Sequence, residues 1–161
     1  LSADDCIALG VSGPMARAAG INWDLRKNQP YSSYDKFDFK AAVYNGCDAY
    51  DRYRVRMMEI RQSNEIIRQA LEGLPEGDYS TTMKGALKTP AGEVYMAIEA
   101  PRGELGFYII SDGTVQPFRM KIRAPTFVNL QSLAKMSEGR LFSDMVAALA
   151  SVDLVLAEVD R

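Results

Sequence analysis

The chain has 161 residues, 47% of them hydrophobic and 25% charged, with a formal net charge of −2. That is the profile of one soluble globular domain, too short for two, and its weak negative charge argues against nucleic acid as the main partner. There is no histidine and there are only two cysteines, Cys6 and Cys47, which excludes Ser–His and Cys–His nucleophiles, most zinc sites, and an iron–sulfur cluster held by this chain alone.

In chain order, Ser2 followed by Asp4, Asp5 and Ile7-Ala8-Leu9 predicts a short capped helix ending at Gly10. Gly13-Pro14 is a breaker, and the small residues around it allow close backbone approach. Ile21 to Lys27 holds the only Trp, and Asn28-Gln29-Pro30 ends that segment. Tyr31 to Tyr44, rich in aromatics, reads as extended and partly paired. From about Cys47 to Leu74 the apolar residues Tyr50, Tyr53, Met57, Ile60, Ile67, Leu71 and Leu74 recur at three- and four-residue steps, and Val55, Met58 and Ile66 widen the stripe. This spacing predicts an amphipathic helix ~40 Å long. Its arginines 52, 54, 56, 61 and 68, interleaved with Asp51, Glu59 and Glu65, read as a salt-bridged solvent face. Asn64, on the apolar stripe, reads equally as a bond across a helix interface or as a solvated notch.

A turn-rich connector, Glu76 to Gly92, leads to three strand-like runs, Val94–Glu99, Leu105–Ile110 and Phe118–Arg123. These predict an antiparallel meander with one dry and one wet face. The turn Pro101-Arg102-Gly103 presents Arg102, either as a surface residue or as a cation aimed into a cleft. Ala124-Pro125 opens a helix through Leu133, and a last helix runs from Leu141 to Val152. The fold class is therefore α+β, one domain over 1–161: a long amphipathic helix and shorter helices packed with a small antiparallel meander.

No stretch reaches the ~20 apolar residues of a membrane span. The longest run, Met145 to Val152, stops at Asp153. The chain starts Leu-Ser-Ala-Asp-Asp, without an initiator Met or a basic signal-peptide opening, which reads as a processed chain or a piece of a longer one. The apolar tail should dock on the body, and a half-buried Asp153 needs a partner. The residues alone favour a turn capped by Asp153 and a final edge strand. A site built from Asp153 and the terminal Asp160-Arg161 is the alternative.

Four stretches, in order, carry a resemblance. They are Gly10-Val11-Ser12-Gly13-Pro14-Met15-Ala16-Arg17 with Asp24-Leu25-Arg26-Lys27; Tyr50-Asp51-Arg52-Tyr53; Glu99-Ala100-Pro101-Arg102-Gly103-Glu104-Leu105-Gly106; and Lys121-Ile122-Arg123-Ala124-Pro125-Thr126-Phe127 through to Glu158-Val159-Asp160-Arg161. Together they resemble the C-terminal part of the D subunit of respiratory complex I, the NADH:quinone oxidoreductase, a family related to the large subunit of nickel–iron hydrogenases. The resemblance implies a peripheral-arm subunit on the cytoplasmic side of the cell membrane, or the matrix side in an organelle. It implies that this chain helps to wall a quinone cavity beside an iron–sulfur cluster held by a neighbouring subunit. No cofactor is expected on the chain itself, quinone is the substrate of the complex, and its partners are other complex I subunits, with membrane association only through them.

Carried over by position, the resemblance places Asp153, Val155 and Arg161 at or beside the quinone cavity and the cluster-bearing partner, and matches Arg102 to the arginine that the Ala-Pro-Arg-Gly turn of the hydrogenases places over their metal site. It also implies that a His and a Tyr contacting the quinone lie upstream of this stretch, so the 161 residues alone should be inactive. Ala157 departs from the family's usual Gly, and the connector is shorter than the family's usual insertion. A hydrogenase-like large subunit without its terminal cysteine pair and a non-catalytic scaffold of the same superfamily are the competing readings.

Overall fold

The computed structural model describes residues 1–82, 85 and 88–160. Chain order gives α1 (Ala3–Ala8), α2 (Pro14–Arg17), α3 (Leu25–Asn28), a 3-10 turn (Tyr34–Lys36), α4 (Ala49–Glu72), β1 (Gly92–Ala100), β2 (Gly103–Ser111), β3 (Arg119–Arg123), α5 (Pro125–Leu130), α6 (Ser132–Ser137), α7 (Phe142–Val152) and α8 (Leu156–Val159). This is the expected α+β arrangement. None of the described helices is long and apolar enough to cross a membrane.

Local chemistry explains most boundaries. Ser2 caps α1 in a reciprocal box with Asp5. Asp48 caps α4 by accepting the Asp51 N–H at 2.7 Å, a bond of the kind worth ~1 kcal/mol, and Gly73 ends it. The predicted helix after Pro125 is instead two short helices, broken at Gln131. The sheet is a three-stranded antiparallel meander in the order β1-β2-β3, with Ala100 paired to Gly103 across the two-residue turn Pro101-Arg102. Only its end near that turn is shielded. Val94, Tyr95, Met96 and Met120 are exposed, so the sheet does not show one fully dry face.

The core is small. Cys6, Val11, Met15, Ala19 and Val152 form one cluster, and Ala18, Ala42 and Val55 a second. The two cysteines are free, and burial pushes the Cys6 thiol up to about 11. The stretch Tyr31 to Tyr44, expected to be extended and partly paired, contains the 3-10 turn and adds no strand to the sheet. Its backbone bonds to side chains of α4 instead: the Asp38 and Lys40 N–H groups donate to Gln69 Oε1 and Gln62 Oε1, both at 2.8 Å.

The orientation of α4 meets the sequence expectation only in part: Val55 is buried and Met58 and Ile66 are half-buried, but the rest of the apolar stripe is not. Tyr50, Tyr53, Met57, Ile60, Ile67, Leu71 and Leu74 are all exposed, whereas Asp51, Arg52 and Val55 are buried. Two arginines of the supposed solvent face are tie bars to α7. Arg52 Nε donates to Ser151 Oγ at 2.9 Å, and Arg56 Nη2 donates to the Val152 carbonyl at 3.3 Å. The charged surface survives only in part, as Arg54 with Asp51 and as Arg68 between Glu65 and Glu72. Arg52 and Arg56 turn inward because they find hydroxyl and carbonyl acceptors there, on the same side as Val55, Met58 and Ile66. The rest of the apolar stripe faces outward.

Candidate functional site

The site grows from a contact between two distant loops. Ser12 and Gly13, just before α2, press against the β1–β2 turn. Ser12 Oγ accepts the Glu104 N–H at 3.0 Å. Asn129 of α5, 1% exposed, clamps both loops: its Oδ1 accepts the Ser12 N–H at 3.1 Å, and its Nδ2 donates to the carbonyls of Ser12 and Arg102. A buried amide that satisfies three backbone groups is costly to replace. It holds the Arg102 backbone in place.

From that anchored turn the Arg102 side chain reaches the C-terminal tail. Its Nε donates to the Asp153 carbonyl at 2.8 Å, its Nη2 lies 3.4 Å from Asp153 Oδ2, and its Nη1 lies 3.7 Å from Glu158 Oε1. Asp153 is the left-handed residue (φ 60°, ψ 56°) that ends α7. Glu158 also accepts hydrogen bonds from the Thr126 N–H and hydroxyl. The tail is thereby docked as a short helix, α8, and not as an edge strand. Asp153 both makes the turn and faces a cavity, two roles that the sequence set against each other.

The cavity, of about 560 Å³, lies between α4 and the end of β1. Ile60, Ser63, Asn64, Arg56 and Glu59 line it from α4, and Ala100, Pro101 and Glu99 from β1 and its turn, with Asp153 at its tail side. Arg17, Arg26 and Tyr34 complete the wall. Asn64 is thus an exposed cleft residue. Arg102 sits behind Asp153, tied to the tail, and is not in the lining. Val155 is half-buried at the start of α8, also outside the lining. Arg161 lies outside the described residues.

Sequence reasoning missed the charged floor of this cavity. Arg17, 1% exposed, donates from Nε and Nη2 to Glu59 Oε1 and from Nη1 to Glu99 Oε1 at 2.7 Å. Arg26 makes a two-pronged bond to Asp24, at 3.0 and 2.7 Å, and lies over the Phe39 ring. Burial opposes the charge of Arg17, but Glu59 and Glu99 hold its pKa above the ordinary value. Burial also opposes the charge of Asp24, yet the Arg26 bonds keep that carboxyl below the usual range. Burial raises Glu59 despite Arg17, whose single charge is divided between two carboxylates. Burial lowers Arg56, and its Nε is buried with no hydrogen-bond partner among the described residues. One signal pointed here: Arg17 stands in a run of small apolar residues, Met15-Ala16-Arg17-Ala18-Ala19, where a cation needs internal partners.

A family model described as "Respiratory-chain NADH dehydrogenase, 49 Kd subunit" matches residues 1–88 and 79–161. The chain belongs to this family. It is 53% identical over 161 residues to the second D-type subunit of the NADH-quinone oxidoreductase of Solibacter usitatus, covering 100% of the chain and 44% of that relative. It is 48% identical over 161 residues to the corresponding D-type subunit of Dehalococcoides mccartyi, with the same coverage. Against the D-type subunit of Geotalea uraniireducens it is 44% identical over 186 aligned positions, covering 100% of the chain and 48% of the relative. The chain spans a little under half the length of these curated relatives. The two family-model matches overlap at residues 79–88, within the connector.

Proposed function

We propose that this chain is part of the quinone-reducing subunit of an NADH:quinone oxidoreductase. In this reading the cavity between α4 and the β1–β2 turn forms part of the quinone site, beside the iron–sulfur cluster of a neighbouring subunit. The observation that carries the reading is the Arg102–Asp153 contact. It folds the tail back so that Asp153 meets the cavity at the turn stabilised by Ser12, Gly13 and Asn129. Quinone head groups need apolar surface plus a few fixed polar contacts. Ile60, Ala100 and Pro101 supply the former; Arg56, Asn64 and Asp153 the latter. Arg56 Nε is an unmatched donor in this wall, suited to a carbonyl acceptor. Reduction builds negative charge on the quinone oxygens, and the fixed arginines favour it. Arg102 acts indirectly, by holding Asp153 and Glu158. Val155 and Arg161 belong to the same tail and are assigned to the border of the cavity and to the partner contact.

The test uses the assembled complex. Asp153→Ala should depress NADH:quinone reductase activity roughly tenfold, the scale of one lost charge-assisted contact, and should alter inhibitor sensitivity. NADH oxidation by an artificial acceptor should be retained, because that route bypasses the quinone. Arg161→Glu should act in the same direction. Equal loss of both activities would mean failed assembly and would sink the assignment of Asp153.

A further inference from the structure

At the cavity floor one guanidinium serves two carboxylates: Arg17 is paired with both Glu59 and Glu99, whereas Arg26 pairs separately with Asp24, which is outside the lining. Arg56 and Asp153 are the other charged groups of the wall. Tyr34 is the remaining titratable group in the wall.

The three carboxylates are not equivalent. Both Asp24 oxygens accept from Arg26. Glu99 Oε1 accepts from Arg17, and its Oε2 accepts the Leu25 N–H at 3.1 Å. Glu59 is bonded only through Oε1, to Arg17, and its Oε2 takes no hydrogen bond among the described residues. Glu59 is also the more open member of the pair around Arg17, 18% exposed against 4% for Glu99. A half-buried carboxylate that shares its bonded cation with a second carboxylate is relieved by taking a proton. The oxygen able to take it without losing a donor is Glu59 Oε2.

We propose that Glu59 is an exchangeable proton site of this cavity, acting as a general acid through Oε2. The proposal rests on the quinone reading of the cavity. In the step, two electrons arrive from the iron–sulfur carrier of the neighbouring subunit. The Glu59 O–H bond breaks, its proton forms one quinol O–H bond, and the second proton comes from solvent. Glu59 is left as a carboxylate facing Arg17 and regains its proton from water. Arg17 makes both states tolerable, because it bonds Oε1 whether or not Oε2 carries hydrogen. Burial raises the Glu59 pKa above the ordinary carboxylate value, which favours the acid form.

The experiment compares Glu59→Gln with Asp153→Ala in the assembled complex. Glu59→Gln keeps the acceptor for Arg17 but holds no transferable acid proton. It should lower quinone reduction roughly a hundredfold, the low end of the effect of a positioned general acid. It should also abolish the fall in quinone-reduction rate expected of the wild-type as rising pH ionises Glu59, and leave the artificial-acceptor rate intact. In time-resolved infrared spectra of the wild-type, a protonated-carboxyl band shifted by glutamate carbonyl labelling should be lost transiently during quinone reduction and return as Glu59 regains its proton; Asp153→Ala should retain that band in the oxidised state. Unchanged rate and pH profile in Glu59→Gln, with Asp153→Ala impaired, would overturn the Glu59 role and leave the quinone cavity standing. Normal quinone reduction in Asp153→Ala would count against the cavity itself. If Glu59→Gln does not assemble, absence of the glutamate band in the labelled wild-type complex overturns the proposal.

Discussion

Gly13 faces Gly103 so closely that a β-carbon built on Gly13 would stand 2.6 Å from the Gly103 amide nitrogen. Both residues have positive φ, 70° and 133°. The contact joins the loop before α2 to the turn that presents Arg102. It is the physical reason for the Ser-Gly-Pro and Pro-Arg-Gly spellings: each loop needs a residue without a side chain where the other passes.

Gly13→Ala should therefore cost about 3 kcal/mol of stability, from overpacking against backbone together with an unfavourable φ. Gly139→Ala is the control. Gly139 also has φ 70° but nothing within 4 Å of a built β-carbon, so its loss should be nearer 1 kcal/mol. Denaturant midpoints of the two variants measure the difference. Equal midpoints would mean that the Gly13–Gly103 approach is not a constraint.

Acid should act through Asp24. Its folded-state pKa is lowered, since the Arg26 bonds outweigh burial. Its contribution is complete above the ordinary carboxylate value and disappears as pH falls through the lowered one. Asp24→Asn should flatten that part of the stability-versus-pH curve. Glu59 has the opposite sign. Its raised pKa makes its contribution complete at acid pH, and it is lost as pH rises through the raised value. Glu59→Gln should thus reduce the loss of stability on the alkaline side, and denaturant titrations across pH measure both slopes.

The outward stripe of α4 predicts the behaviour of these 161 residues when prepared alone. Tyr53, Met57, Ile67 and Leu71 are exposed along one helix side, a contiguous apolar surface of the kind that drives association. The isolated chain should self-associate at micromolar concentration. Ile67→Glu with Leu71→Lys should shift it toward monomer in sedimentation velocity, with unchanged helical circular dichroism. Persistent association of the double variant would place the contact elsewhere.

Much of the fold was legible in the sequence, and the reasons differ by element. The caps at Ser2 and Asp48, the Gly73 stop and the three strands follow from local chemistry. Periodicity announced α4 but not which side of it faces inward, because spacing is blind to what lies opposite. Arg52 and Arg56 turn inward toward Ser151 and the Val152 carbonyl, nearly a hundred residues away in sequence. The same limit hid the bonds of Arg17 to Glu59 and Glu99, which come from three different elements. The tail was the reverse case. Asp153 was conspicuous as one carboxylate in an apolar run, and the family resemblance directed attention to Arg102, the residue that holds it.

The central claim is that quinone is bound where the tail meets α4. Photolabelling of the assembled complex with a photoreactive quinone analogue, followed by peptide mapping, tests it most directly. Label should fall on peptides carrying Ile60–Asn64 and Asp153–Val155 and should be displaced by excess unlabelled quinone. Label on this chain that quinone cannot displace, or displaceable label confined to other subunits, would contradict it.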